Sequence, residues 1–95
     1  MINPLRPKII DYAGCELYSG TMVWEFRNEF YPMDDYEALA ELLDALKGYY
    51  GIDEYTQRVI EAVQDNRNAQ YEEIPDFAFD DVVEQVEVKS LLEGY

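Results

Sequence analysis

Residues 9–26 read IIDYAGCELYSGTMVWEF, and this stretch decides the fold class. Two small-residue–glycine pairs, Ala13-Gly14 and Ser19-Gly20, divide it into three short runs rich in β-branched, aromatic and aliphatic residues. A pair of that kind between such runs is the signature of a two-residue hairpin turn. With Ala13-Gly14 as the turn, Tyr12 opposes Cys15 and Ile10 opposes Leu17; with Ser19-Gly20, Leu17 opposes Met22 and Cys15 opposes Trp24. Side chains alternate across a strand, so both turns place Ile10, Tyr12, Cys15, Leu17, Met22, Trp24 and Phe26 on one apolar face. Ile9, Asp11, Glu16, Tyr18, Thr21, Val23 and Glu25 fall on the other. The expectation is a three-stranded antiparallel meander.

Working outward, residues 1–8 (MINPLRPK) carry two prolines and read as an extended lead-in. Downstream, Asp34 and Glu37 form an Asp-x-x-Glu variant of the capping box. Tyr36, Leu39, Leu43 and Leu46 then recur at helical spacing, with Gly48 as a stop. A second helix is expected from Asp53 to about Asp65, burying Tyr55, Val59, Ala62 and Val63, with a polar loop or frayed end after it. Pro75 reads as a helix breaker, and Phe77 and Phe79 alternate as in a strand. Asp81 and Glu84 offer another capping pair ahead of Val86, and periodicity leaves the tail open between helix and edge strand. The reading is one acidic α+β domain over residues 1–95: an N-terminal three-stranded antiparallel meander, two helices, and a C-terminal helix or edge strand.

The charge is unusual. Twenty-one acidic residues face seven basic ones, a formal net charge of −14, and histidine is absent. Aromatic residues at 15% of the chain, including nine tyrosines, argue for a folded domain over a disordered acidic tail. The charge excludes direct binding to nucleic acid or to an anionic membrane, which both require positive charge. No secretory apolar region and no run long enough for a membrane span is present, and the single cysteine, Cys15, forms no internal disulfide. The expected location is the cytoplasm, a host cytoplasm if the chain is phage-encoded.

Catalytic signatures are missing. Without histidine there is no Ser-His or Cys-His pair, and neither a phosphate-binding glycine loop nor paired zinc cysteines occur. Asp65-Asn66-Arg67-Asn68 superficially suggests a calcium loop, but Arg67 occupies a ligand position and the glycine is lacking. Cys15 on the apolar face reads as an inert small hydrophobe. Paired carboxylates are plentiful, yet a chain this short seldom builds a cleft deep enough to perturb them. A non-enzymatic protein with no cofactor and no metal is expected.

The carboxylates do form a pattern. Asp34, Glu37, Glu41 and Asp44 stand 3, 4 and 3 residues apart, a stripe opposite the leucines with Asp35 beside it. A solvated outer face explains one such stripe by itself. A second concentration runs from Glu72 to Glu93 and includes Asp76, Asp80, Asp81 and Glu84, with Lys89 as its one cation. Tyrosines, among them Tyr18, Tyr49, Tyr50, Tyr71 and Tyr95, interleave with the acids and are favoured at interface hot spots.

In composition the chain resembles the small acidic proteins, many phage-encoded, that mimic DNA and block restriction, CRISPR or repair enzymes. That resemblance implies carboxylates standing in for phosphates in the nucleic-acid channel of a target. Residues 42–63, LLDALKGYYGIDEYTQRVIEAV, also resemble a segment of barstar, an acidic ribonuclease inhibitor, although the meander departs from that family's parallel sheet. This second resemblance implies a nuclease-facing role for Tyr49, Tyr50 and Gly51, with Asp53 and Glu54 as approximate acidic counterparts; against it, the tyrosines also suit simple packing of a helix–helix turn. The expected function is inhibition of a basic nucleic-acid-binding protein, such as a nuclease, CRISPR effector or restriction enzyme. The alternatives are a barstar-like antitoxin or immunity protein plugging a nuclease active site, and an acidic adaptor or assembly subunit, with a homodimer through a sheet edge among its forms. The expected partner-binding residues are Asp34, Glu37, Glu41, Asp44, Tyr49, Tyr50, Asp76, Asp80, Asp81 and Glu84.

Overall fold

Strand β3 (Met22–Phe26) is the centre of the molecule, paired antiparallel with β4 (Glu29–Pro32) on one edge and β5 (Glu84–Glu87) on the other. The computed structural model describes residues 8–68 and 70–93. The lead-in expected over residues 1–8, apart from Lys8, and Tyr95 therefore lie outside the described residues. The chain is an α+β protein. Antiparallel strands precede two packed helices, α1 (Tyr36–Tyr50) and α2 (Ile52–Asp65), and the C-terminal segment supplies both an edge strand and a short helix.

The pairing among the early strands differs from the meander, for two local reasons. The first is the connection between β1 (Ile9–Ile10) and β2 (Glu16–Leu17): the Asp11 N–H donates to the Cys15 carbonyl at 2.8 Å and leaves three residues, 12–14, at the tip instead of two, so Ile9 pairs with Leu17 and Ile10 with Glu16. The Asp11 carboxylate accepts from the backbone N–H groups of Ala13 and Cys15, both at 2.9 Å, and Gly14 takes a positive φ of 87°. A turn followed by a left-handed glycine is the usual three-residue hairpin. The one-residue slip turns β1 over: Ile9 now joins Leu17 inside, while Ile10 and Cys15 are exposed. The thiol is thus on the surface and not on an apolar face.

The second reason is a turn at Arg27-Asn28, with φ of 53° and 66°, the conformation of a type I′ hairpin. It folds β4 back onto β3, pairing Phe26 with Glu29 and Trp24 with Tyr31. With β5 on its other edge, β3 has no edge left for β2. Tyr18 and Thr21 still close a turn, but the chain passes there from one sheet to another.

Both faces of the central sheet are covered. Trp24, Phe26 and Tyr31 pack under Leu39, Leu42, Leu43 and Leu46 of α1, with Phe79 and Val83 completing that core. On the reverse face Val23 meets Ile9, Leu17 and Val88, with Phe30, Val86 and Leu91 around them. Each fully buried leucine contributes about 1.5–3 kcal/mol, so the four on α1 supply about 6–12 kcal/mol as an upper figure.

Helix α1 begins one residue later than the capping pair suggests, at the N-cap Asp35, whose side chain accepts from the Glu37 N–H at 2.9 Å. Tyr36 is exposed, and Ala38 and Leu42 join Leu39, Leu43 and Leu46 inside. Gly48 does not stop the helix. Termination waits for Gly51, whose φ of 86° and ψ of 155° suit glycine alone. That residue closes α1 through its N–H to Lys47 and opens α2 by accepting from Tyr55. Gly48 itself is helical and exposed, with nothing within 4 Å of an added Cβ. Gly48→Ala is expected to stabilise the fold by about 0.5–1 kcal/mol, because it narrows the unfolded ensemble without a clash. A urea midpoint below that of the wild type would contradict this.

Pro75 opens a helix instead of breaking one. It lies in the first turn of α3 (Ile74–Ala78), where its missing N–H costs nothing. Phe77 and Phe79 therefore do not share a face: Phe77 is half-exposed and Phe79 is fully buried. Asp81 and Glu84 do not cap a helix either. The N–H groups of Val82 and Val83 bond back to Phe79, and the alternating residues that follow form β5, then α4 (Val88–Glu93). In α2, Ala62 is buried and Tyr55 and Val59 are half-buried, but Val63 is exposed.

Candidate acidic binding surface

The outer face of α1 carries the stripe. Leucine burial fixes the rotation of this helix, so Glu37, Glu41 and Asp44, at i, i+4 and i+7, point away from the core and are exposed. Their axial separations are about 6 and 4.5 Å at the helical rise. Among the described residues no lysine or arginine pairs with Asp34, Asp35, Glu37, Glu41 or Asp44. Asp34 and Asp35 share a hollow of about 190 Å³ with Met33 and with Glu72 from the second acidic run, so the two acidic regions of the sequence meet at the start of α1.

A pair of aromatic rings lies beside this stripe. Tyr12 stacks on Tyr31 with centroids 5.1 Å apart. Burial, then the carboxylates of Glu37, Asp35, Asp11 and Glu41, push the Tyr12 hydroxyl above its ordinary range. Burial followed by Glu29 and Glu41 does the same to Tyr31. Asp11 and Tyr12 thus belong to the acidic surface, although the sequence reading placed them only in the sheet. No local pattern announces them, since it is the packing of the β1–β2 loop against β4 that brings them there, through a Tyr12 N–H bond to Phe30.

Tyr49, Tyr50 and Asp81 lie at the opposite end of α1, about 20 Å along the axis from its start. The Tyr50 hydroxyl donates to Asp81 Oδ2 at 3.1 Å, and its ring stacks on Phe79. Arg58 lies over the same ring at 4.2 Å, pairs with Asp81 at 2.9 Å and with Glu54 at 3.2 Å, and donates to the Ala78 carbonyl. Burial alone would raise the Asp81 carboxyl, but the hydrogen bonds from Arg58 and Tyr50 outweigh it and hold the group below its usual value. Burial and the bond to Asp81 push Tyr50 up to about 12. These groups form an internal latch joining α1, α2 and the turn before β5. Tyr49 is half-exposed, edge-on to both Tyr50 and Phe26, with Arg27 at 5.6 Å from its ring centre.

Asp76 also works internally, its Oδ1 accepting from the buried Trp24 indole N–H at 3.1 Å. Asp80 and Glu84 are exposed and share an open hollow of about 260 Å³ with Glu25, Asp81 and Arg27. Glu84 stands directly opposite Glu25 across the strand pair, an arrangement of like charges that costs stability. The ten residues singled out in the sequence therefore separate into the α1 stripe, the latch with Tyr49, the Trp24 partner Asp76, and an acidic rim at Asp80 and Glu84.

Among the described residues no three acidic or cysteine side chains converge as a metal site, and no helix is long and apolar enough to cross a membrane. The chain matches no family model, no curated protein and no solved structure with which it was compared.

Proposed function

We propose that this protein acts without catalysis, in the cytoplasm, by laying the outer face of α1 on the basic nucleic-acid-binding surface of a partner protein and blocking it. One observation carries the reading: a rigid helix, anchored by four buried leucines, holds Glu37, Glu41 and Asp44 in an exposed row that no described cation neutralises. Preorganised carboxylates about one helical turn apart offer the acceptors that arginine and lysine use on a phosphate backbone. A formal charge of −14 adds attraction over distance and speeds association with a basic groove. The antitoxin-like alternative has less support, because the Tyr50 hydroxyl is already committed to Asp81.

The test is the triple variant Glu37→Gln, Glu41→Gln, Asp44→Asn, assayed against a nuclease, a CRISPR effector and a restriction enzyme, each with and without competing DNA. The wild type is expected to bind one of these proteins at low salt and to be displaced by DNA. The variant should bind at least about tenfold more weakly, with a shallower salt dependence. It should fold normally, since removing like charges at i, i+3 and i, i+4 relieves about 0.2–0.5 kcal/mol per pair. Equal affinity of wild type and variant for the captured protein would refute the stripe as the contact; binding that competing DNA does not displace would favour the adaptor reading.

A further inference from the structure

Helix α2 buries little for its length. Ala62 is its one fully buried residue, while Ile52, Ile60 and Val63 are 58%, 45% and 48% exposed. These three, with exposed Thr56, follow at i, i+4, i+8 and i+11, and at roughly 100° per residue they lie within about 80° of arc. The result is an apolar strip about 16 Å long, next to the packed edge formed by Tyr55 and Val59 and away from the Arg58 flank. A helix with such a seam ordinarily meets another surface.

Charge selects the occupant. On the far side of the strip stand Asp53 and Glu61; on the near side is α1, whose Lys47 ammonium lies 5.5 Å from the centre of the Tyr55 ring, with Asp44 one turn before it. A second copy would bring another −14 against this rim, whereas a cationic rim would complement it. We infer that the α2 strip docks against an apolar seam ringed by lysine or arginine on the protein partner, giving the complex a contact that salt does not dissolve. This inference rests on the partner being basic, as proposed above, and adds a second, apolar recognition element beside the stripe.

The probe is a synthetic helical peptide with a leucine seam ringed by lysines, compared with a peptide of identical charge whose seam leucines are replaced by glutamine. Binding is measured at about 0.5 M salt, where screening reaches only a few ångströms. The wild type is expected to prefer the leucine peptide by at least about tenfold, a preference that falls to about twofold or less in Ile52→Ser, Ile60→Ser, Val63→Ser and persists in the α1 triple variant. Because the three positions are exposed, the serine variant should keep the wild-type thermal transition; the single Ile60→Ser variant repeats the measurement if it does not. A preference absent from the wild type, or undiminished in the serine variants, would overturn the inference. So would sedimentation showing a wild-type dimer that the serine variants abolish, because a second copy would then occupy the strip. Failure of the charge reading appears in the α1 variant at low salt, and failure of this inference in the α2 variants at high salt.

Discussion

Replacing Phe79 with alanine is expected to destabilise the protein by about 3–5 kcal/mol, against a total stability of about 5–15 kcal/mol for a domain of this size. The side chain is fully buried and stacks on Tyr50 at 5.7 Å and on Tyr55 at 5.4 Å, so its loss opens a cavity where α1, α2 and the end of α3 converge. The backbone of the same residue holds the turn into β5, accepting from Val82 at 3.0 Å and Val83 at 2.9 Å. The cavity therefore weakens the attachment of the edge strand as well as the helix pair. At about 4–8 °C per kcal/mol, the thermal midpoint should fall by about 12 °C or more. The informative control is Phe77→Ala. A strand from 77 to 79 would place both rings on one face and give both variants similar costs. With Phe77 on the surface of a helix, its loss should cost less than about 1 kcal/mol. Urea unfolding of the pair decides the matter, and equal costs would mean that the Phe77 ring is buried on the same face as Phe79.

The same contrast shows what local sequence can and cannot carry. The leucines of α1 were legible because their spacing sets both the helix and its buried side, and that also made the opposite, acidic side legible. Strand β4 was not, because its hairpin turns at Arg27-Asn28, a pair without glycine. The available signal was weaker: strand-favouring aromatic residues on both sides, Trp24 and Phe26 before and Phe30 and Tyr31 after, around an asparagine tolerant of positive φ. Without that turn β3 keeps a free edge, and the expected meander fills it with β2. The internal duties of Asp76 and Asp81 were invisible for another reason. Their partners, Trp24 and Tyr50, are 52 and 31 residues away, and no periodic pattern records a bond of that span. Spacing thus identifies which carboxylates face outward on a helix, but it does not distinguish a loop carboxylate held by the core from one left for a partner.

That distinction has a consequence at high pH, where the latch should fail through Tyr50. Burial and the bond to Asp81 raise its hydroxyl from 10.0 to about 12. Below pH 10 the folded and unfolded chains both keep this proton, and stability is unaffected. Between 10 and about 12 the unfolded chain releases a proton that the folded chain retains, so stability falls across this window, by less than the full ~1.4 kcal/mol per pH unit because water screens the partly exposed pair. Tyr12, Tyr31 and Tyr55 are raised too, in each case by burial first, and they steepen the same fall. Arg58 does not release the latch earlier: burial would lower it, but its bonds to Asp81 and Glu54 raise it above the ordinary value. Tyr50→Phe retains the ring between Phe79 and Arg58 and removes only the titrating hydroxyl. The variant should lose about 1–3 kcal/mol near neutral pH through the missing bond to a charged acceptor. It should then lose less than the wild type as the pH rises, so the two stability curves converge by about pH 12. Urea midpoints taken across this range, with tyrosinate absorbance recorded in parallel, measure both effects. Parallel curves would show that the Tyr50 proton is not what the folded protein withholds.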